Sequence, residues 1–321
     1  MNTWGMDILL VRTFLEIAAT GSFVAASKRL FVTQSAVSLR VQKLEASLGR
    51  TLFERSKAGA ELTPAGREFE RYALSMLKVW EEARQQIAIP EGFTESIHIG
   101  AQYSLWPRLG FRWIDALRRA MPEISIRAEL GMPDRLTRFL IEGVTQMALL
   151  YTPQARPGLQ LEQILEEELV LVAAWPEPDM DIAGRYAFVD WGPEFVHAHA
   201  LHLPELTNPG LTLALGALSA EYIIGRELAA YLPARAVKTH LDSGRLHLVP
   251  GAPSFPYPAW AAWREDMDEG ILAEALAQLR HVAANADAEQ EAVMGDLAEL
   301  SEDGEVATLG DHVETLPGSS S

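Results

Sequence analysis

The stretch Ser22–Leu48 constrains this chain most, because it reads as two helices joined by a tight turn. Ala25 and Ala26 are small enough to let helices approach closely, and Phe31-Val32 closes the turn. Thr33 is expected as an N-cap, its hydroxyl accepting from an otherwise unpaired amide of the next helix. In that helix Val37, Val41, Leu44 and Leu48 recur at helical spacing and form one buried stripe. At about 100° per residue, Ser35, Leu39, Gln42 and Lys43 point away from the stripe, with Ser38 beside them. Hydroxyls and amides can bond base edges and a cation can meet phosphate, so this face suits a DNA major groove. An amphipathic helix with a merely solvated face has the same periodicity, so the stretch by itself leaves both readings open.

The formal charge of −17 argues at first against nucleic acid, but its distribution reverses the argument. Residues 1–90 hold 12 Lys and Arg against 9 Asp and Glu, residues 91–280 hold 15 against 25, and residues 281–321 hold ten acids and no base. Within Ser22–Ala60 seven bases (Lys28, Arg29, Arg40, Lys43, Arg50, Arg55, Lys57) face two acids. Phosphate contact answers to this local field, since charge is screened over about 8 Å at physiological salt. Cysteine is absent, which excludes disulfides and a catalytic thiol and points to a reducing cytoplasm. No apolar run is long enough to span a membrane, and no signal-peptide pattern opens the chain.

Asp7–Ala19 reads as a first helix ended by Thr20-Gly21, and Leu52–Arg55 with Ala60–Leu62 as a hairpin wing with Lys57 and Gly59 at its tip. Thr63-Pro64 then starts a helix of about 24 residues, running to Ile87. Phe69, Tyr72, Met76, Val79 and Ala83 form a heptad-like seam along it, whose natural partner is the same helix of a second subunit, with packing against its own helix-turn-helix as the alternative. From Ser96 strands and helices alternate, which argues for parallel sheets with ligand sites at strand ends. Leu105–Met121 and Ser219–Leu232 are expected helices in this region, and the length suits two small lobes. Residues 284–321 are acidic and read as a mostly disordered, solvating tail.

The run Phe14-Leu15-Glu16, Gly21-Ser22-Phe23, Ala25-Ala26, Thr33-Gln34-Ser35-Ala36-Val37-Ser38, Leu44-Glu45, Leu52-Phe53-Glu54-Arg55 and Leu62-Thr63-Pro64-Ala65-Gly66 closely resembles the LysR-type transcriptional regulators. Ser104-Leu105-Trp106 and Trp191–Phe195 are similar to the subgroup that contains the repressor of the flagellar master operon. The resemblance implies an α+β chain in four parts. These are a winged helix-turn-helix (1–62), a linker and dimerisation helix (63–90), a two-lobed α/β effector domain like periplasmic binding proteins (91–283), and the acidic tail (284–321), which is not part of the family pattern. It implies a sequence-specific regulator that binds double-stranded DNA as a homodimer or homotetramer and answers to a small-molecule effector. Gln34, Ser35 and Ser38 become base-reading positions, and Arg55 with Lys57 the wing contacts. With the outward helix face, the DNA-contacting set is Thr33, Gln34, Ser35, Ser38, Leu39, Arg40, Gln42, Lys43, Arg55 and Lys57. Leu39 stands where the family often has Arg; it cannot bond guanine bidentately but can meet a thymine methyl. Gln102, Tyr103 and Ser104 map onto the effector site, where a helix N-terminus suits an anionic ligand.

Other chemistries have thinner support. His197, His199 and His202 form a cluster that could ligate zinc or nickel, but the spacing matches no common motif and a polar loop explains it as well. Glu166-Glu167-Glu168 reads as a solvated loop, not a catalytic pair. No nucleophile motif, phosphate loop or cofactor site is present, so no cofactor and no catalytic residue are assigned. Two rivals remain: a DNA-binding regulator without an effector, and an α/β enzyme with an appended helix-turn-helix.

Overall fold

Four side-chain caps set where the N-terminal helices begin, each accepting from an amide that the helix itself leaves unpaired. Asp7 Oδ1 accepts from Leu9 N at 2.9 Å and starts α1 (Ile8–Thr20); Ser22 Oγ accepts from Ala25 N at 3.3 Å and starts α2 (Phe23–Arg29). Thr33 Oγ1 accepts from Ala36 N at 3.2 Å to start α3 (Gln34–Leu48). The hairpin β1 (Phe53–Ser56) and β2 (Gly59–Leu62) follows, and then Thr63 Oγ1 accepts from Gly66 N at 2.9 Å to start α4 (Pro64–Ile87). Gly21 ends α1 in the left-handed conformation, as expected. The computed structural model describes residues 7–56, 59–300 and 306–309. The wing tip at Lys57 therefore lies outside the described residues.

The end of α2 departs from the usual pattern. Phe31 N donates to Lys28 O at 3.3 Å and Val32 N donates to Ser27 O at 3.0 Å, which is a Schellman turn. Such a turn puts one residue in the left-handed region, and here it is Phe31, with φ +54°. A bulky L-residue there costs on the order of 1–2 kcal/mol relative to glycine.

The N-terminal core is Phe14 and its neighbours. Its ring lies 4.9 Å from Phe69 and 5.2 Å from Phe53, centroid to centroid, and so joins α1 to α4 and to the wing. Val37, Val41 and Leu44 of α3 are buried against the same core, while Leu48 is partly exposed. On α4, Gly66, Phe69, Ala73, Leu77 and Glu81 are buried and mark one face. A Cβ on Gly66 would stand 2.2 Å from Leu52 O, so only glycine lets α4 come this near the wing. Glu81 is satisfied by Arg12 at 3.0 Å and Arg84 at 2.9 Å. Phe69 therefore belongs to the domain's own core and not to the outward seam expected of it; Tyr72, Met76, Val79 and Ala83 are exposed. The seam's 3–4 spacing carried no mark of which residue Phe14 of α1 would meet.

Packing divides the chain into two units, residues 1–98 with 123–127 and 138–146, and residues 99–122, 128–137 and 147–321. The α/β region runs β3 (Glu95–Ala101), α5 (Phe111–Ala120), β4 (Ile124–Leu130), α6 (Pro133–Ile141), β5 (Met147–Leu150), β6 (Leu159–Leu165) and β7 (Glu168–Ala173). It continues through β8 (Ala187–Val189), α7 (Pro193–His202), β9 (Leu211–Leu213), α8 (Ser219–Ile223), β10 (Ala229–Pro233) and α9 (Ala234–Asp242). It ends with β11 (His247–Leu248), β12 (Phe255–Pro256), β13 (Ala259–Arg264) and α10 (Glu269–Glu299). One sheet has the order β4-β3-β5-β13-β6; another has β10-β7-β11, with β12 also on β7; β8 and β9 form a separate parallel pair. The chain passes between the two larger sheets after β6 and again after β12, which gives the two lobes.

The pairing is mostly antiparallel: β13 runs against both β5 and β6, and β10, β11 and β12 all run against β7. The helix expected at Ser219–Leu232 stops at Ile223, and the buried run Ala229–Pro233 is strand β10 instead. The helix expected from Leu105 begins as a 3-10 turn (Tyr103–Leu105) and a π turn (Trp106–Gly110) before α5. Glu167 is not in a solvated loop. It is buried, takes Arg235 Nε at 3.0 Å, and accepts from Tyr151 Oη at 2.7 Å. Residues 284–299 are not a disordered tail but the second half of α10, because Ala286, Val293 and Leu297 are buried and Glu289 bonds Arg108 and Arg112 at 2.5 and 2.7 Å.

The histidine cluster resolves by burial. His197 and His202 are exposed, while His199 is enclosed by Phe188 and Phe195 and bonds Tyr186 Oη through Nε2 at 2.8 Å. Burial lowers its pKa to about 4, only partly offset by Glu205. An unfolded histidine titrates near 6.5, so the unfolded chain takes up this proton first as pH falls. The stability that depends on the neutral ring is complete above the unfolded pKa and is lost on descent to the folded one. Between about pH 7.5 and about pH 4, urea unfolding of the wild type should lose up to about 3 kcal/mol more than a Tyr186→Phe/His199→Phe variant.

Candidate nucleic-acid interface and ligand pocket

Capping fixes which residues of α3 meet solvent. With Val37, Val41 and Leu44 turned inward, Thr33, Gln34, Ser35, Leu39, Gln42 and Lys43 are exposed and Ser38 is half-buried among them. Leu39 is 66% exposed, a large apolar side chain on an otherwise polar face. Arg40 is turned partly inward, its Nη1 reaching Thr13 Oγ1 at 3.4 Å. Arg55 lies in β1, opposite Ala60. Glu45 Oε1 accepts from Leu52 N at 2.7 Å and from Phe53 N at 3.3 Å, so the acid within α3 is used to tie down the loop before the wing.

The strand-end site behaves differently from expectation. Gln102 Oε1 accepts from Tyr151 N at 2.7 Å, so its amide joins β3 to the end of β5. Ser104 does not cap its own turn; its Oγ accepts from Ala217 N at 3.0 Å. Tyr103 is exposed. Beside them lies a pocket of about 310 Å³, walled by Tyr103, Ser104, Arg108, Glu221, Arg235, Thr239 and His240. Gln102 is not in this wall. Of its three basic side chains the two arginines are already engaged: Arg235 with Glu167, and Arg108 with Glu289 and Thr239. His240 is the exception. Its Nε2 is 3.7 Å from Glu221, while Nδ1 is buried without a hydrogen-bond partner among the described residues. Burial, followed by Arg245, lowers its pKa, which favours a neutral ring. Thr239 and His240 were missed in the sequence because α9 was not foreseen. Trp106 and Trp191 are buried, and Trp191 Nε1 donates to Tyr231 O at 2.9 Å.

A second concavity is apolar. It is an open groove of about 690 Å³ between α1 and α4, lined by Ile8, Val11, Tyr72, Met76, Val79, Trp80 and Ala83. Trp80 and Ile8 extend the expected seam residues. Among the described residues no group of three or more His, Asp and Glu side chains is arranged to hold a metal, and no helix is long and apolar enough to cross a membrane.

These features meet known proteins at two places along the chain. Residues 8–67 match the bacterial regulatory helix-turn-helix protein, lysR family, and residues 90–283 match the LysR substrate binding domain. The chain belongs to the LysR family. It is a DNA-binding transcriptional regulator with an effector-binding domain, and the rival reading as an enzyme falls with that membership. The HTH-type transcriptional regulator HdfR of Escherichia coli is 29% identical over 279 residues, covering 85% of this chain and 98% of its own. Among solved structures, a full-length OxyR variant from Pseudomonas aeruginosa is similar at 22% identity and a TM-score of 0.52, over 86% of this chain and 98% of that one. Full-length LysG from Corynebacterium glutamicum, with bound effector Arg, gives 0.52 at 19% identity, over 87% and 99%. The match to the substrate domain ends at residue 283, so the second half of α10 lies beyond it.

Proposed function

We propose that this regulator works in the cytoplasm as a homodimer that reads an imperfect inverted repeat through α3 and responds to a small polar effector in the pocket beside Ser104. The observation that carries the reading of DNA is the exposed polar row from Thr33 to Lys43 on a helix whose other face is packed in the core. Gln34, Ser35 and Ser38 meet base edges, Leu39 meets an apolar edge, and Thr33, Gln42, Lys43 and the wing pair Arg55 and Lys57 meet the backbone. Arg40 is the weakest member of the set because it leans on Thr13. Sites are recovered by selecting bound fragments from the source genome. On the selected site Gln34→Ala or Ser38→Ala should cost about 1–3 kcal/mol and change random-duplex binding little. Equal losses on both duplexes would refute base reading by these residues.

The dimer rests on the groove between α1 and α4. Tyr72, Val79 and Trp80 are 57%, 63% and 47% exposed along one stripe, more apolar surface than a solvated helix needs. A second copy of the same helix fills such a stripe with matching spacing, and tetramers through the effector domains are compatible with it. Met76→Glu/Val79→Glu places two charges in the seam and should give monomers in sedimentation velocity at tens of micromolar. A variant that remains dimeric there would exclude this face.

The effector pocket draws together Tyr103 and Ser104 with Arg108 and His240, while Gln102 acts from behind by holding the strand ends. With the arginines internally paired, the unpartnered Nδ1 of His240 and the hydroxyl of the exposed Tyr103 are the groups with bonding capacity left for a ligand. A small molecule with an anionic or hydroxyl group fits that donor set; full-length LysG, which holds arginine, is a relative in fold. Titration of small carboxylates and amino acids, read by tryptophan fluorescence and thermal shift, should identify a binder whose affinity falls about tenfold in Ser104→Ala or His240→Ala, the size of one hydrogen bond to a polar group. A binder held equally well by both variants would place the effector elsewhere.

A further inference from the structure

Phe31 occupies the one position of the Schellman turn that needs a left-handed backbone, at φ +54°, where glycine is the usual residue. Its ring gives the free protein nothing in return, because it is 93% exposed. A large aromatic ring left in water on an unfavourable backbone makes physical sense only where something else covers it. Its neighbours say what that is. Thr33, two residues on, caps α3, and the exposed Gln34 and Ser35 follow at once. The ring therefore stands beside the N-terminal end of the recognition helix, the end that helix-turn-helix proteins bring to the groove.

We propose that Phe31 contacts DNA, laying its ring on the deoxyribose of the backbone that flanks the groove entered by α3. The residue precedes the cap of α3 and so lies outside the face that enters the groove, which favours sugar over base as its partner. The sugar's C–H face is apolar, and packing a ring on it removes apolar surface of both from water. Contact with sugar carries no sequence information. It neutralises no phosphate and releases no counterion, so it leaves the salt dependence of binding unchanged. The inference rests on duplex binding by the helix-turn-helix, not on which bases Gln34, Ser35 and Ser38 read.

Phe31→Gly and Phe31→Asn both relieve the backbone, since each tolerates the left-handed region. The full-length variants are compared with wild type by fluorescence anisotropy on a mixed-sequence duplex and on the genome-selected site across a salt series, with melting temperatures in parallel. The expected result is an equal or higher melting temperature, an affinity lower by about three- to tenfold on both duplexes, the size of a modest apolar contact, and an unchanged salt slope. Lys43→Ala, in contrast, should flatten the slope. Wild-type affinity, a loss confined to the selected site, or a flattened slope in the Phe31 variants would each overturn the proposal. So would a lower melting temperature in both, since that would mean the ring packs within the protein.

Discussion

The position of the recognition helix depends on one aromatic contact. Phe14 touches Phe69 on α4 and Phe53 on the wing, and Phe53 in turn lies 5.7 Å from Phe23 on α2. Three elements, α1, α4 and the wing, meet at the Phe14 ring, α2 joins them through Phe53, and α3 is held against the same core by Val37, Val41 and Leu44. Truncating a ring of this kind in a core typically costs about 3–5 kcal/mol. Because Phe69 is drawn into this contact, α4 begins as part of the DNA-binding domain. Its outward stripe begins one turn later, at Tyr72. The helix has two faces, one packed in the core at Phe69, Ala73 and Leu77 and one exposed at Tyr72, Met76 and Val79.

The N-terminal domain was legible because its signals are local. Thr33 and Thr63 cap where their hydroxyls were expected to, Gly21 ends α1, and the α3 stripe is buried at three of four positions. What failed was the division of α4, since Phe69 and Tyr72 differ neither in character nor in helical spacing. Only the packing of the Phe14 ring against one of them separates core from surface. Phe31 shows the same limit from the other side. It is an ordinary apolar residue in the sequence, and its strain exists only once the hydrogen bonds of Phe31 and Val32 close the turn.

The α/β region was legible as alternation but not as topology. The apolar runs within β3, β4, β5, β7 and β13 suit strands, yet the directions of those strands follow from which strand the chain next reaches. Antiparallel β13 returns from the second lobe to lie between β5 and β6, a long-range pairing that no local pattern marks. The misread helix at Ser219–Leu232 has a similar cause: Ala229–Leu232 is an apolar run that suits either state, and its pairing with β7 decides it. Glu167 was invisible for the same reason. Three successive acids look solvated until Arg235 and Tyr151 arrive from distant segments to pair the middle one.

Charge is where composition misleads most. The chain is strongly acidic, yet three acids of the N-terminal unit are taken up by partners within it: Glu16 by Arg29, Glu81 by Arg12 and Arg84, Glu45 by the amides of Leu52 and Phe53. Lys28, Lys43 and Arg50 remain exposed. Phosphate within a screening length feels those cations and not the distant acids. The acids of α10 follow the same logic, since Glu289 holds Arg108 and Arg112, leaving fewer cations to attract DNA away from α3. An acidic remainder then suppresses non-specific adhesion without weakening the specific face. The net charge thus separates specific from non-specific binding, and only the pairing pattern shows that it does not oppose either α3 or its target.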